Sequence, residues 1–167
     1  FFSTSAIDAF IHAIESYVSP KATLYTQMFS MKAMEMIIEG FRKIAEHGEE
    51  YRMNLLDDFL TASNLAGIAF GNAGTGAVHA MSYPLGGKYH LPHGVANAIL
   101  LAPCMRFIRP AAVDKFAQVW DLIPGADQHL SNEEKSHALV AWFSALVKEL
   151  KLPDNLETLG IAPDNIP

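Results

Sequence analysis

The sequence predicts an all-α, multi-helix fold. Apolar residues recur at helical spacing along almost the whole chain, two-residue alternation bounded by turn residues is nearly missing, and the main interruptions fall at proline and glycine. The first helix is expected from about Ser5 to Val18, because Pro20 opposes continuation. A long second helix follows on Met34, Ile37, Ile38, Phe41, Ile44 and Ala45, with Gly48 as a left-handed cap after His47. The segment from Tyr51 to about Phe70 carries Met53, Leu55, Leu56, Phe59, Leu60, Leu65 and Ile68. That apolar arc is wide enough to predict the central buried helix, ended by Gly71.

Between Gly71 and Gly94 the composition changes: six glycines and two prolines interleave with three histidines. Binding and catalytic residues concentrate in such stretches. Helical character returns from Val95 to about Ala102 and again from about Ala111 to Leu122. The last helix is announced by a capping box, Ser131 with Glu134, and is expected to bury Leu139, Val140, Phe143, Leu146, Val147 and Leu150. No internal repeat or low-complexity linker interrupts this order.

A chain of 167 residues is one domain in size and can bury about two-thirds of the surface its unfolded form exposes. Half the residues are apolar, yet no apolar run approaches the length needed to cross a bilayer. A formal charge of -6, with 12 basic residues scattered along the chain, provides no footprint for nucleic acid or an anionic membrane. The single cysteine, Cys104, excludes an intrachain disulfide and fits a reducing compartment, so a cytoplasmic location is expected. Phe1 and Phe2 lead directly into a helix without a signal peptide, and Asp164 to Pro167 read as a loop after the last helix. Neither end reads as a domain edge, and a fragment truncated at its extreme C-terminus is the expectation.

Asp8 and His12 lie four residues apart on the first helix, so their side chains share a face one turn apart. Taken alone, such a pair also suits a helix surface. Their proximity to Ile7, Ile11 and Ile14 changes the balance, because an unpaired carboxylate near apolar surface is costly and a metal would neutralise it. His79 follows Gly74, Gly76 and Ala77, small residues that let backbones approach closely. His93 sits in Pro92-His93-Gly94 where a helix should begin, and the positive end of the helix dipole there disfavours imidazolium and leaves a ring able to ligate. One acid and three imidazoles suit Fe²⁺, Zn²⁺, Ni²⁺ or Co²⁺ better than Ca²⁺ or Mg²⁺. On the residues alone, a metal site and a set of structurally satisfied histidines both remain open. His47, His129 and His137 lie in polar surroundings and read as surface residues.

Three stretches together resemble the iron-containing (group III) alcohol dehydrogenases: Ser5 to Tyr17 (Ser-Ala-Ile-Asp-Ala-Phe-Ile-His-Ala-Ile-Glu-Ser-Tyr), Ala77 to Gly87, and Pro92 to Ala98. The interval from His79 to His93 matches that of the family's last two ligating histidines. The resemblance implies Asp8, His12, His79 and His93 as metal ligands, and a helical bundle like the family's C-terminal, dehydroquinate synthase-like domain. It also implies Fe²⁺, or Zn²⁺ or another divalent ion, and a small alcohol or aldehyde as substrate. NAD or NADP would be bound by a separate N-terminal α/β domain missing from this chain. Phe70, by the same resemblance, lines the pocket where nicotinamide and substrate meet. Many members carry a histidine where this chain has Tyr83, a residue near the nicotinamide that helps pass a proton. A phenol with a reference pKa near 10 is a poorer shuttle at neutral pH, and His90 is a candidate for taking over that task.

The run Gly71-Asn72-Ala73-Gly74-Thr75-Gly76 has the wrong spacing for a dinucleotide loop and follows no strand, so it reads as a helix–helix junction. An inter-domain face left bare would expose apolar surface, and self-association into a homo-oligomer is expected. Two other classes compete. A helical metal-dependent hydrolase would carry an adjacent His-Asp doublet, which the sequence lacks; a non-catalytic helical interaction domain would keep its fold without binding metal.

Overall fold

The computed structural model describes residues 2–162, and among them it contains α-helices and 3-10 turns without a strand. The loop expected at residues 164–167 lies outside the described residues. The helices are α1 (Phe2–Val18), α2 (Leu24–His47), α3 (Leu56–Ala73), α4 (Ala77–Tyr89), α5 (His93–Ile108), α6 (Val113–Trp120) and α7 (Asn132–Glu149), with 3-10 turns at Glu49–Leu55, Arg109–Ala111 and Glu157–Leu159. No helix among the described residues is long and apolar enough to cross a membrane.

The central element is α1, which packs against α2, α3, α4 and α5. Ile7, Phe10, Ile11 and Ile14 are wholly buried, and burying each such side chain is favourable by roughly 1.5–3 kcal/mol. Phe10 meets Phe143 and Trp142 of α7 at ring-centroid distances of 5.9 and 6.0 Å, which ties the first helix to the last. Burial on nearly every side leaves only a narrow strip of α1, carrying Asp8 and His12, partly open.

The central helix is therefore α1 and not α3. Only one stripe of α3 is covered, by Phe59, Ala62, Ala66, Ala69 and Ala73. Leu60 is 69% exposed, and Met53, Leu56 and Ile68 also face outward. Small alanines let α3 lie close to α1, so the wide apolar arc is not matched by wide burial. Its end also differs: the helix runs past Gly71 to Ala73, and Gly74, with φ of 79°, is the cap whose N–H donates to the Phe70 carbonyl. The junction with α4 is thus residues 74–76, in keeping with its reading as a helix–helix connection.

The glycine- and proline-rich stretch is mostly helical, contrary to its composition. Val78, His79, Ser82 and Leu85 of α4 are buried at helical spacing, while Pro84 lies on the exposed side. Burial on one side outweighs the hydrogen bond that Pro84 removes. The same holds in α5, which continues past Ala102 to Ile108 because Pro103 points to solvent and Cys104 and Met105 pack inward.

Other boundaries follow local chemistry. Thr23 and Thr26 cap the start of α2 reciprocally, and Gly48 (φ 97°) closes its end by donating to the Ile44 carbonyl. At α7 Ser131 accepts from the Glu134 N–H, but the Glu134 carboxylate takes the Ser131 hydroxyl at 3.0 Å. The expected reciprocal box is therefore only half formed.

Candidate metal centre

The groups at the centre come from three helices. Asp8 and His12 project from the open strip of α1, His79 from the first turn of α4, and His93 from the first residue of α5. One ligand atom from each of the four lies within 4.8 Å of all the others. Asp8 is the hub: its Oδ1 is 3.5 Å from His79 Nε2 and 3.6 Å from His93 Nε2, and its Oδ2 is 3.7 Å from His12 Nδ1. Four donors held about 2.1 Å from one ion at tetrahedral angles would stand about 3.4 Å apart. The distances from Asp8 lie close to that spacing, and the whole set lies within 4.8 Å.

Access to these groups is graded. The His79 side chain is 2% exposed and that of His93 is 46% exposed, so the centre is closed at α4 and opens beside the start of α5. Gly94 makes this start possible: a Cβ there would lie 2.9 Å from both the Cβ and the carbonyl oxygen of Thr4. Only glycine lets α5 approach α1 closely enough to bring His93 over Asp8.

Phe70 and Tyr83 flank the ligands. The Phe70 ring lies against the His12 imidazole at 4.4 Å with 19° between planes, and the opposite neighbour of His12 is the His79 ring at 4.3 Å. Tyr83, exposed, lies parallel to His93 at 6.2 Å with 19° between planes. His90 stands apart from these rings. It is the exposed, left-handed C-cap of α4 (φ 55°, ψ 31°), at the opposite end of that helix from His79. His47, His129 and His137 are exposed, as their surroundings suggested.

Two buried polar residues of the centre were given no role from the sequence. Glu15, 1% exposed, faces the back of His79, with Oε2 2.7 Å from Nδ1. It lies seven residues after Asp8 and three after His12, so it shares their helix face, and that spacing is the signal that could have found it. Asn97, four residues after His93, is fully buried; its Nδ2 donates to Asp8 Oδ1 at 2.5 Å and lies 3.1 Å from His93 Nε2 and 3.3 Å from His79 Nε2. Its Oδ1 is buried without a hydrogen-bond partner. A half-turn of the amide would present that oxygen to the same ligand atoms, where a cation would satisfy it.

The electrostatics suit a cation. Burial opposes ionisation of Asp8, yet the hydrogen bond with His79, the charge of His12 and the Asn97 amide outweigh it and hold the carboxyl below its ordinary range. Burial likewise pulls the His12 imidazole below its usual value, against the attraction of Asp8. Burial acts in the same sense on His79, but hydrogen bonds to Asp8 and Glu15 overcome it and raise the ring to about 9. Two carboxylates facing three imidazoles create a negative potential that either a proton on Nε2 or a divalent ion can neutralise. The donor set, its spacing and the orphaned amide oxygen all fit a metal.

A family model described as Fe-containing alcohol dehydrogenase family, C-terminal, matches residues 2–167. The chain is 62% identical over 97 residues, 58% of its length, to 4-hydroxybutyrate dehydrogenase of Clostridium kluyveri, covering 26% of that protein. It is 34% identical over 165 residues, 99% of its length, to 1,3-propanediol dehydrogenase of Klebsiella pneumoniae, covering 42% of it. Among solved structures it superposes on an alcohol dehydrogenase from Oenococcus oeni with a TM-score of 0.89 and 28% identity, over 98% of this chain and 42% of the other. The chain thus spans less than half the length of these relatives.

Proposed function

The chain belongs to the iron-containing alcohol dehydrogenase family, and from that premise we propose that it forms the metal-holding part of an enzyme interconverting a small alcohol and its aldehyde or ketone. The observation that carries the reading is the convergence of Asp8, His12, His79 and His93 within 4.8 Å of one another. These residues would hold Fe²⁺, or Zn²⁺ or another divalent ion in its place. A bound divalent ion supplies Lewis-acid polarisation of the substrate oxygen, and NAD or NADP supplies the hydride acceptor.

The residues of this chain divide the remaining work. Phe70 covers one face of His12, keeps water from it and lines the pocket for nicotinamide and substrate. Tyr83, beside His93 on the open side, is placed to exchange a proton with a substrate hydroxyl through its phenolic oxygen. His90, exposed at the C-cap of α4, is the further candidate for taking over the proton relay. The described residues contain no strand followed by a glycine-rich turn, so the dinucleotide site is assigned to a separate nucleotide-binding domain. A single buried thiol suits a reducing, cytoplasmic setting. Exposed Leu24, Tyr25 and Met28 offer apolar surface for a homo-oligomer.

The test is metal content by plasma mass spectrometry after anaerobic loading of the intact protein with Fe²⁺, for the parent and for His79→Ala and His93→Ala. Near-stoichiometric metal in the parent and little in either variant is expected. The names of the relatives motivate 4-hydroxybutyrate and 1,3-propanediol, with NAD or NADP, as first substrates. A folded parent that takes up no metal, or one that oxidises no alcohol when loaded, would overturn the reading.

A further inference from the structure

We propose that Glu15 is the positioning residue of the metal centre: its carboxylate fixes the ring of His79 with hydrogen on Nδ1, leaving the Nε2 lone pair for the metal. The inference rests on the metal-binding reading above and concerns a residue behind the ligands.

Glu15 is an expensive residue to bury. It is 1% exposed and sits in the last turn of α1, where a buried carboxylate must find donors or neutralise. The described structure supplies three, and all belong to the beginning of α4. Oε2 accepts from the Gly76 N–H at 2.9 Å, Oε1 accepts from the Val78 N–H at 2.6 Å, and Oε2 faces His79 Nδ1 at 2.7 Å. The two backbone groups are among those a helix start leaves without partners inside the helix. No side chain of α4 satisfies them, since its N-cap is a glycine. Glu15 therefore caps α4 from another helix, and its negative charge lies at the positive end of that helix.

This arrangement decides the tautomer of His79. An ionised carboxylate can only accept, so Nδ1 must carry the hydrogen. Nε2 is then the atom with the free lone pair, and it is the atom that lies 3.5 Å from Asp8 Oδ1 on the ligand side. Carboxylate partners of this kind orient a ligating imidazole and make it a better donor. Because Asp8, His12 and Glu15 are all on α1, one helix supplies two ligands and the anchor of a third. The approach is tight: a Cβ on Gly76 would stand 3.3 Å from Glu15 Oε1.

A residue that only caps a helix would make the same backbone contacts, so the experiment must isolate the path through His79. Co²⁺ affinity of the intact protein would be measured by chelator competition and the visible Co²⁺ spectrum, for the parent, Glu15→Gln, His79→Ala and the double variant. Glu15→Gln presents an amide to Nδ1 and no longer requires a hydrogen there. It is expected to lower Co²⁺ affinity roughly 10- to 100-fold, with an altered ligand-field spectrum and helical content retained. In the His79→Ala background the same change is expected to cost no further affinity. Equal losses in both backgrounds, or none in either, would overturn the proposal while leaving the four-ligand site intact. A parent that binds no Co²⁺ would instead overturn the metal reading itself. If Glu15→Gln does not fold, Gly76→Ala keeps the carboxylate but crowds it. A several-fold loss of Co²⁺ affinity is then expected, and unchanged affinity would sink the idea.

Discussion

The imidazole of His12 and the ring of Phe70 lie face to face, 4.4 Å apart with 19° between planes. This pairing joins the last turns of α3 to the open strip of α1 and leaves His12 little room to rotate. A ligand held in one orientation before a metal arrives loses less conformational freedom on binding, so Phe70 contributes to the centre without touching the ion.

Phe70→Ala is therefore expected to act on two quantities. Loss of a half-buried aromatic should lower stability by about 1–3 kcal/mol, read by thermal or denaturant unfolding. Freed rotation of His12 should also speed metal loss to a chelator. Phe70→Leu, which refills most of the volume, should restore stability but only part of the metal retention. Unchanged metal loss in Phe70→Ala would show that His12 is held by its other neighbours alone.

Gly94→Ala tests how the close approach of α5 to α1 builds the site. The added Cβ meets backbone as well as side chain of Thr4 at 2.9 Å, so one helix must move. Overpacking of this kind typically costs about 1–3 kcal/mol, and here it should also displace His93 and reduce metal occupancy. Gly40→Ala is the control. Its Cβ would meet the Phe59 ring at 2.6 Å, and the atoms it approaches belong to that ring. A comparable loss of stability is expected there, with metal stoichiometry unchanged; equal metal loss in both variants would mean that general destabilisation, not His93, is responsible.

Asn97→Ala addresses the amide at the hub. It removes the 2.5 Å hydrogen bond to Asp8 Oδ1 and with it the group that lies between Asp8, His79 and His93. Outer partners of ligating groups are commonly worth about 10- to 100-fold in metal affinity, and a loss in that range is expected by chelator competition. Affinity equal to the parent would assign Asn97 to packing alone.

Helix periodicity, a short-range property, paired Asp8 with His12, whereas joining them to His79 and His93 took the resemblance to the family. Asp8 and His12 four apart, and Gly48 after His47, are decided within a few residues of chain. The Ser131 cap is equally local, though its partner Glu134 chose the hydroxyl over the backbone. Glu15 shares the helix face of Asp8 and His12, and Asn97 lies one turn after His93. But the contacts that give them a role, to His79 and to Asp8, span 64 and 89 residues, and only the folded chain shows them. Composition misled where tertiary packing decided the outcome. Pro84 and Pro103 lie in helices because each faces solvent, while the apolar arc of α3 met a neighbour that covers only its alanine stripe.

Cys104 gives a pH dependence whose sign can be worked out. The residue is buried on α5, and its thiol donates to the Met81 thioether at 3.6 Å. Burial, with a smaller contribution from the Glu15 charge, pushes the thiol from an ordinary value of 9.0 up to about 11. Below pH 9 the thiol is neutral in folded and unfolded chains alike and contributes no pH dependence. Above it the unfolded chain loses the proton first, so the unfolded state binds fewer protons and stability falls as pH rises from about 9 to about 11. Since the thiolate is the reactive form, iodoacetamide at pH 8 should label the native protein far more slowly than the urea-unfolded protein. Cys104→Ala should flatten the alkaline part of the stability curve. Rapid native labelling at pH 8 would show that α5 opens readily at Cys104, and the same opening would then have to be reconciled with a rigid seat for His93 on that helix.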